Sequence, residues 1–432
     1  MKVAILTNAY PYLPGEQFIE DEIGYWAARP EVEVTVLPAL ASGPARAVPA
    51  GIEVSLDMAG TVGPGRLWYV LVALPSALFR RELGQLWRSR KLRAATVGRA
   101  LLHVSKVLEQ AARLRRHARI HGRIDVAYCY WNETQACAAI LAREAGAVRK
   151  VVSRVHGFDL YEARRPHGYM PLKRQFIAAF DAIFALSAEA SAYLQRTYGA
   201  PPERIRISPL GVPLAGVPAR PGDAGTLHIV SVSYCLPVKR LDRIIDALGL
   251  LARRHPDTRI SWTHLGGGPL LQETMALATR KLASLGNLAC RFAGELPHAA
   301  VAAHYREAPV DMLVNASESE GVPVSIMEAM SAGVPVVAPD VGGVASLVSA
   351  RCGVLLGAQP DGQAIAAAME QLAFAPGHER LRRQARQVIE AGFDAARNYR
   401  DFVAGVVAVA AADDEPARSR QPAPRIRQAA GR

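Results

Sequence analysis

Residues 227–265 read LHIVSVSYCLPVKRLDRIIDALGLLARRHPDTRISWTHL. The apolar run at 227–232 has the length of a buried strand, and 259–265 is a second. Between them 241–254 reads as a helix. Strand, helix and strand in that order imply two parallel strands joined by a crossover, with helices covering the sheet. The same alternation continues downstream, with a helix near 270–285, a strand at 289–292, a helix at 299–307, a strand at 312–315, a helix at 324–332 and a strand at 334–338.

Upstream the pattern recurs. KVAILT at 2–7 reads as a buried first strand, EVEVTVL at 31–37 as an alternating second, and 51–54 as a weaker third. Residues 66–119 are Leu/Ala/Arg-rich with few breakers after Pro75 and read as helical; strands return at 125–129, 150–153 and 182–185. Residues 208–226 (SPLGVPLAGVPARPGDAGT) hold four prolines and four glycines, which marks a domain boundary. The expected architecture is α/β: two doubly wound domains facing each other across a cleft. It runs as an N-terminal domain at 1–208, a linker at 209–226, a C-terminal domain at 227–390, a helix at 391–412 packing back on the first domain, and a disordered tail at 413–432. Ligands in such sheets bind at the carboxyl ends of the strands.

Length and composition fit this reading. The 432 residues are 50% apolar and 21% charged, which excludes a wholly disordered chain, a collagen-like fibre and a disulfide scaffold. Five scattered cysteines without a Cys-x-x-Cys read as small buried side chains in a reducing compartment. No signal peptide or membrane-spanning run is evident, so a cytoplasmic location is expected.

The charge is concentrated. Residues 66–123 hold fourteen Lys and Arg against only Glu82 and Glu109, a net +12 that equals the net charge of the whole chain. The same segment contains an apolar run at 67–79 with Trp68, Tyr69 and Phe79, followed by Trp87. Aromatic residues beside an arginine cluster suit an interfacial segment on anionic lipid or a basic cleft for a phosphorylated lipid; a pair of buried helices with solvated arginines is the plainer alternative.

Residues 317–343 read SESEGVPVSIMEAMSAGVPVVAPDVGG. Gly321-Val322-Pro323 places proline at the start of a short helix, and Gly333 sits where a C-terminal glycine belongs. The first amides, near Val324 and Ser325, would suit phosphate oxygens. Glu320 lies just before that helix and Glu328 about 7 Å along it, from the ~1.5 Å rise per residue. By spacing alone these are two solvated glutamates; with phosphates at the helix start they suit a nucleotide sugar.

With those residues in place, the stretch resembles the paired-glutamate signature of retaining GT-B glycosyltransferases of family four. Other pieces agree in order: residues 231–247 (SVSYCLPVKRLDRIIDA) with a phosphate-binding lysine, Gly266-Gly267-Gly268-Pro269 with a Gly-Asp-Gly-Pro turn, 292–296 (FAGEL) with a base-binding strand end, and 340–343 with a glycine turn. In the first domain 153–161 (SRVHGFDLY) and 14–23 (PGEQFIEDEI) resemble the exopolysaccharide, colanic-acid-type branch. The resemblance runs from about residue 1 to 411.

It implies roles. Lys239, helped by Arg240, would neutralise the donor diphosphate, Glu328 would hold the ribose, and Glu320 would meet the sugar ring. His156 would lie near the anomeric carbon, with a structural role as its alternative. Gly267, Gly268, Leu296, Gly321, Val324, Ser325 and Gly15 would line the donor site, with Glu16 beside Gly15. Three departures stand out: Tyr234 where the family often has Arg, Gly267 in place of Asp, and Ser346 in place of a Glu.

The implied reaction moves a sugar from a nucleotide diphosphate donor to a polyprenyl-diphosphate-linked or oligosaccharide acceptor, with retention, for exopolysaccharide synthesis. Because no Asp-x-Asp occurs, no metal is expected at the leaving group. The expected partners are the donor, the acceptor and the anionic inner face of the plasma membrane, and no nucleic acid. The alternatives are a nucleotide-sugar epimerase or phosphorylase on the same fold, or a non-enzymatic protein binding polyanions or a membrane surface.

Overall fold

The computed structural model describes residues 1–13, 16, 19–60, 65–374 and 376–412. Gly15 and the tail expected at 413–432 lie outside the described residues. The chain divides into two compact units, Met1–Ser208 together with the chain from Tyr399 onward, and Pro209–Asn398.

The first unit is built on seven strands: β1 (Lys2–Thr7), β2 (Glu33–Pro38), β3 (Ile52–Val54), β4 (Ile124–Cys129), β5 (Val148–Val155), β6 (Ala182–Ala185) and β7 (Ile205–Ile207). They pair in parallel in the order β3-β2-β1-β4-β5-β6-β7. Side chains alternate across the sheet as a strand demands. Ala4 and Leu6 enter a core with Val104, Ile140 and Phe176, whereas Val3 and Ile5 enter the opposite one with Trp26, Phe402 and Val406. The helix Ala395–Ala411 thus supplies, from Tyr399 on, part of the second of these cores.

The second unit holds β8 (Thr226–Val232), β9 (Arg259–Leu265), β10 (Leu288–Phe292), β11 (Met312–Val314), β12 (Val336–Pro339) and β13 (Gly353–Leu356). Its order is β10-β9-β8-β11-β12-β13, again all parallel. In each sheet the order reverses once, between β1 and β4 and between β8 and β11. Those reversals are where loops from neighbouring strands diverge and leave room for a ligand.

Three expectations change. The proline- and glycine-rich stretch at 209–226 is not a free connector but part of the second unit. The Ala219 amide bonds to the Ala332 carbonyl at 2.8 Å, and the Gly222 amide to Asp311 at 2.9 Å. The basic stretch is three helices, Gly65–Ala73, Ala77–Arg88 and Ala94–His121. Pro75 and the left-handed Arg90 separate them, and Ser76 caps the second by accepting from the Phe79 amide at 3.1 Å. Of the five cysteines, Cys290 on the edge strand β10 is exposed and the other four are buried.

The two fragments of the first unit singled out by resemblance meet in the core. Arg154 on β5 and Glu22 on the helix Ile19–Ala27 are both buried and pair at 2.6 Å, with the guanidinium carbon 4.2 Å from the Phe402 ring centre. Trp26 and Tyr128 also donate to Glu22, at 3.2 and 3.4 Å. A buried ion left without its partner costs about 3–5 kcal/mol. Arg154→Leu should therefore lower the unfolding free energy of this unit by about that amount in chemical denaturation. Converting both partners to apolar residues should recover most of the loss. A change below about 1 kcal/mol for Arg154→Leu would show that water reaches Glu22.

Candidate functional site

The loops at the β8/β11 reversal carry the charged residues. After β8 the chain turns through Pro237–Lys239, and Arg240 at φ +48° swings it into the helix Leu241–Arg254. After β11, residues 315–323 lead into the helix Val324–Ser331. The two loops are stitched together by the Glu318 amide on the Val238 carbonyl at 2.9 Å.

Lys239 Nζ donates to Glu320 Oε1 at 2.7 Å, and Asn315 Nδ2 donates to the same oxygen at 3.2 Å. Glu320 is only 8% exposed. Burial by itself would raise its pKa, but the Lys239 charge and hydrogen bonds from Lys239, Ser317 and Asn315 outweigh it and hold the carboxyl below its ordinary value. Glu320 is therefore an anion across the neutral range, matched to Lys239.

Arg240 forks onto Asp242 at 3.0 and 2.8 Å and also donates to Glu318, which takes a further bond from Arg243 at 3.1 Å. The fork holds the Asp242 carboxyl below its usual range. Glu328 lies within the helix Val324–Ser331 and pairs with His298 at the start of the helix His298–Glu307. Pro323 takes the capping position just before the helix instead of the expected first helical position. Its carbonyl accepts from Ile326 and Met327, so the amides of Val324 and Ser325 lie ahead of the helical ladder.

The glycines explain themselves by contact. Gly266 sits at φ +149°, where an added Cβ would lie 1.9 Å from the Ser233 carbonyl oxygen. Gly267 and Gly268 run along the same loop, the Gly267 carbonyl accepting from the Cys235 amide at 2.7 Å. At Gly342, φ +57°, a Cβ would lie 1.9 Å from the Glu320 carbonyl oxygen. The next amide, of Gly343, bonds to the Gly321 carbonyl at 2.6 Å. Leu296 borders a cavity of about 480 Å³ with Leu265, Ala293, Ala300 and Ala303, and with Arg291 and His304 on its wall.

In the first unit the reversal between β1 and β4 is closed by Glu16, at φ +48°. Its carboxylate accepts from the amides of Asn8, Ala9 and Tyr10 at 2.7, 2.6 and 2.6 Å, and from Trp131 Nε1 at 2.5 Å. His156 follows β5. Its ring packs on Tyr130 and Trp131, with centroids 4.8 and 4.6 Å away. Among the described residues neither ring nitrogen has a hydrogen-bond partner, although both are buried and Nδ1 lies 4.0 Å from Asp159 Oδ2. Asp159 fixes the backbone beneath by accepting from the amides of His156 and Asn132 at 2.5 and 2.7 Å.

Residues 226–373 match the family model described as glycosyl transferases group 1, and residues 21–215 match that of glycosyltransferase family 4. The chain belongs to glycosyltransferase family four. Among its relatives is the Escherichia coli (strain K12) protein named for colanic acid biosynthesis, the glycosyltransferase WcaL. It is 30% identical over 261 residues, 58% of this chain and 62% of the relative, so the match spans less than two thirds of that protein. Two solved structures cover 94% of this family-four chain and 99% of their own. They are the lipopolysaccharide outer core galactosyltransferase WaaB in its apo form, at TM-score 0.65 and 16% identity, and Anabaena HepE in complex with UDP and glucose, at 0.61 and 17%. At these identities they establish the fold, which is GT-B.

The second unit brings Lys239, Glu320 and Arg240 together on adjoining loops. Glu328 and Leu296 are placed by the neighbouring helix and strand end, and His156 belongs to the other unit. Asn315, Glu318 and His298 escaped the sequence reading. Asn315 had a signal, because it directly ends β11 at the sheet reversal. Gly342→Ala should shift the Glu320 carbonyl and lower turnover by at least about tenfold while the chain stays folded. Unchanged turnover with an unchanged circular dichroism spectrum would show that the loop accommodates a side chain.

Proposed function

We propose that the chain transfers a sugar from a nucleotide diphosphate sugar to a hydroxyl of a lipid-linked or oligosaccharide glycan acceptor, with retention, in surface or exopolysaccharide synthesis. The observation that carries this reading is the Lys239–Glu320 pair on the two switch-point loops, with the Val324 helix start beside Glu320. As the bond between the anomeric carbon and the phosphate oxygen breaks, positive character grows on the sugar and negative charge on the phosphate. Lys239 and the amides of Val324 and Ser325 meet the departing phosphate; these groups are preorganised, so little reorganisation is needed. Glu320, already ionised, faces the sugar ring, and Glu328 accepts from ribose hydroxyls in exchange for His298. The cavity at Leu296 takes the base, with Gly267, Gly268 and Gly321 giving the backbone room to approach.

Arg240 assists the diphosphate only by giving up part of its contact with Asp242 or Glu318. Half-exposed Tyr234 supplies no charge, so the reading assigns most of the phosphate compensation to Lys239. His156 belongs to the acceptor-side unit. The unpartnered His156 ring offers a hydrogen bond to a sugar hydroxyl.

The test is calorimetry with UDP, GDP and their sugars, followed by NMR of the product's anomeric proton. Glu328→Ala should weaken donor binding up to about a hundredfold, since losing a buried polar partner costs ~1–3 kcal/mol. Lys239→Ala should lower kcat more than affinity, because phosphate charge peaks in the transition state. Unchanged donor affinity in Glu328→Ala would remove the ribose assignment, and turnover should survive EDTA.

A separate observation favours a membrane-surface contact. Leu67, Trp68, Leu71, Leu74 and Trp87 are exposed, Trp68 by 63% and Trp87 by 71%, beside exposed Arg80 and Arg81. Phe79, read from sequence as part of this face, is instead buried in the core, and Tyr69 is half-buried. No helix among the described residues is long and apolar enough to cross a membrane. Anionic lipid attracts each nearby Lys or Arg by about 1 kcal/mol. The chain should float with anionic vesicles at low salt, and Arg80→Glu with Arg81→Glu should reduce that while sparing turnover on a soluble acceptor. Equal recovery with neutral vesicles would return the arginines to a solvated role.

A further inference from the structure

Far along the sequence from the loops described above, the long helix Ala94–His121 ends with His117 and His121, one turn apart on one face. Their rings stack with centroids 4.5 Å apart. Asp57, in the turn Leu56–Met58 after β3, reaches both: its Oδ2 lies 2.7 Å from His117 Nδ1 and 3.1 Å from His121 Nε2. One ligating atom from each residue falls within 4.8 Å of the others. We propose that Asp57, His117 and His121 form a binding site for a borderline divalent transition metal of the zinc class, a site that ties the turn after β3 to the end of the long helix.

Two imidazoles and one carboxylate oxygen are a donor set that such ions accept, with a fourth position for water. Bonds of about 2.0–2.2 Å to a tetrahedral ion put neighbouring ligand atoms about 3.3–3.6 Å apart. The Asp57–His117 and Asp57–His121 separations therefore need to open by about 0.6–0.9 and about 0.2–0.5 Å. The surroundings give an entry path. His117 is buried, while His121 and Asp57 are 46% and 36% exposed and face solvent. A cavity lined by Lys2, Glu33, Glu53, His117, His121 and Gly122 adjoins them. Lys2 opposes a cation there, but its ammonium is held by the His121 carbonyl at 2.7 Å and by Glu33 at 3.7 Å.

On binding, the proton on each nitrogen that faces Asp57 leaves to solvent, and each neutral ring carries its one proton on the nitrogen turned away from the ion. The Asp57 oxygen exchanges two N–H donors for the ion. Arg113 already fastens the same turn through the Ala59 carbonyl at 2.8 Å, so the metal adds a second fastening one helical turn further on. This places the ion in the unit that lacks Lys239, Glu320 and Glu328, and its role is structural.

The test uses the full chain stripped with chelator and titrated with Co²⁺, then Zn²⁺. One equivalent of Co²⁺ should bind with the visible d–d bands of a low-coordinate N/O site and be displaced by Zn²⁺. Zn²⁺ should raise the thermal unfolding midpoint by several degrees. His121→Ala and Asp57→Asn, both at partly exposed positions, should each weaken Co²⁺ binding by more than about tenfold and abolish the thermal shift. His117→Ala is not needed, since its burial makes it the variant most prone to misfold. Absence of Co²⁺ binding, or binding of equal strength in the two variants, overturns the proposal, whatever the transferase assays show.

Discussion

Glu320 is a buried carboxylate, and a buried charge must be matched or it neutralises. Much of the second unit near it can be understood as meeting that demand. Lys239 has to arrive from the loop after β8, Asn315 from the end of β11, and both do so because the sheet order reverses between those strands. The Glu320 backbone is in turn pressed by Gly342 and tied through Gly321 to Gly343, so the carboxylate has few ways to leave its partner. The Gly266 turn does the same for the loop before Lys239. Two backbone approaches that only glycine permits thus hold the two sides of one ion pair.

The same logic separates the two kinds of acidic residue in the molecule. Glu16 takes four hydrogen bonds and Glu22 is paired with Arg154; both are consumed in holding the first unit's strands and loops together. Glu320 and Glu328 each face one cationic or titratable partner, Lys239 and His298, across a short span. A ligand with its own hydroxyls can substitute for the pairing at Glu328 far more cheaply than for a carboxylate held by several donors, as Glu320 is by Lys239, Asn315 and Ser317.

The sequence made the sheets legible because parallel strands buried on both faces are short apolar runs, and here nearly every one is bounded by a helix. It missed β7 at 205–207 and β13 at 353–356, which are only three and four residues long and whose residues are mostly half-buried or exposed. The proline-rich stretch at 209–226 looked like a linker because composition reports local stiffness, not partners; its amides are satisfied by Ala332 and Asp311, about a hundred residues away. Glu320, Glu328 and Lys239 were found by motif, but their partners Asn315 and His298 were not. Pairings set by tertiary contact leave no trace in local spacing, which is also why a histidine pair at 117 and 121 reads as ordinary helix surface until Asp57 is placed beside it.

The basic segment shows how far charge counting reaches. It identified the +12 segment, yet it could not say which of its aromatic residues are exposed, since Phe79 and Trp87 are separated by only two helical turns and point to opposite environments. On the helix Ala77–Arg88, Leu78, Phe79, Glu82 and Leu86 form the buried stripe, Glu82 being retained inside by Tyr169 at 2.6 Å and Gln175 at 2.5 Å. With that stripe committed to the core, Arg80, Arg81 and Trp87 fall on the solvent side by helical geometry alone. Exposed Trp87, Arg80 and Arg81 are therefore one consequence of the same helix register that builds the core. A substitution that rotated or broke that register would disturb the core and the exposed residues together, whereas charge reversal at Arg80 and Arg81 acts on the exposed side only.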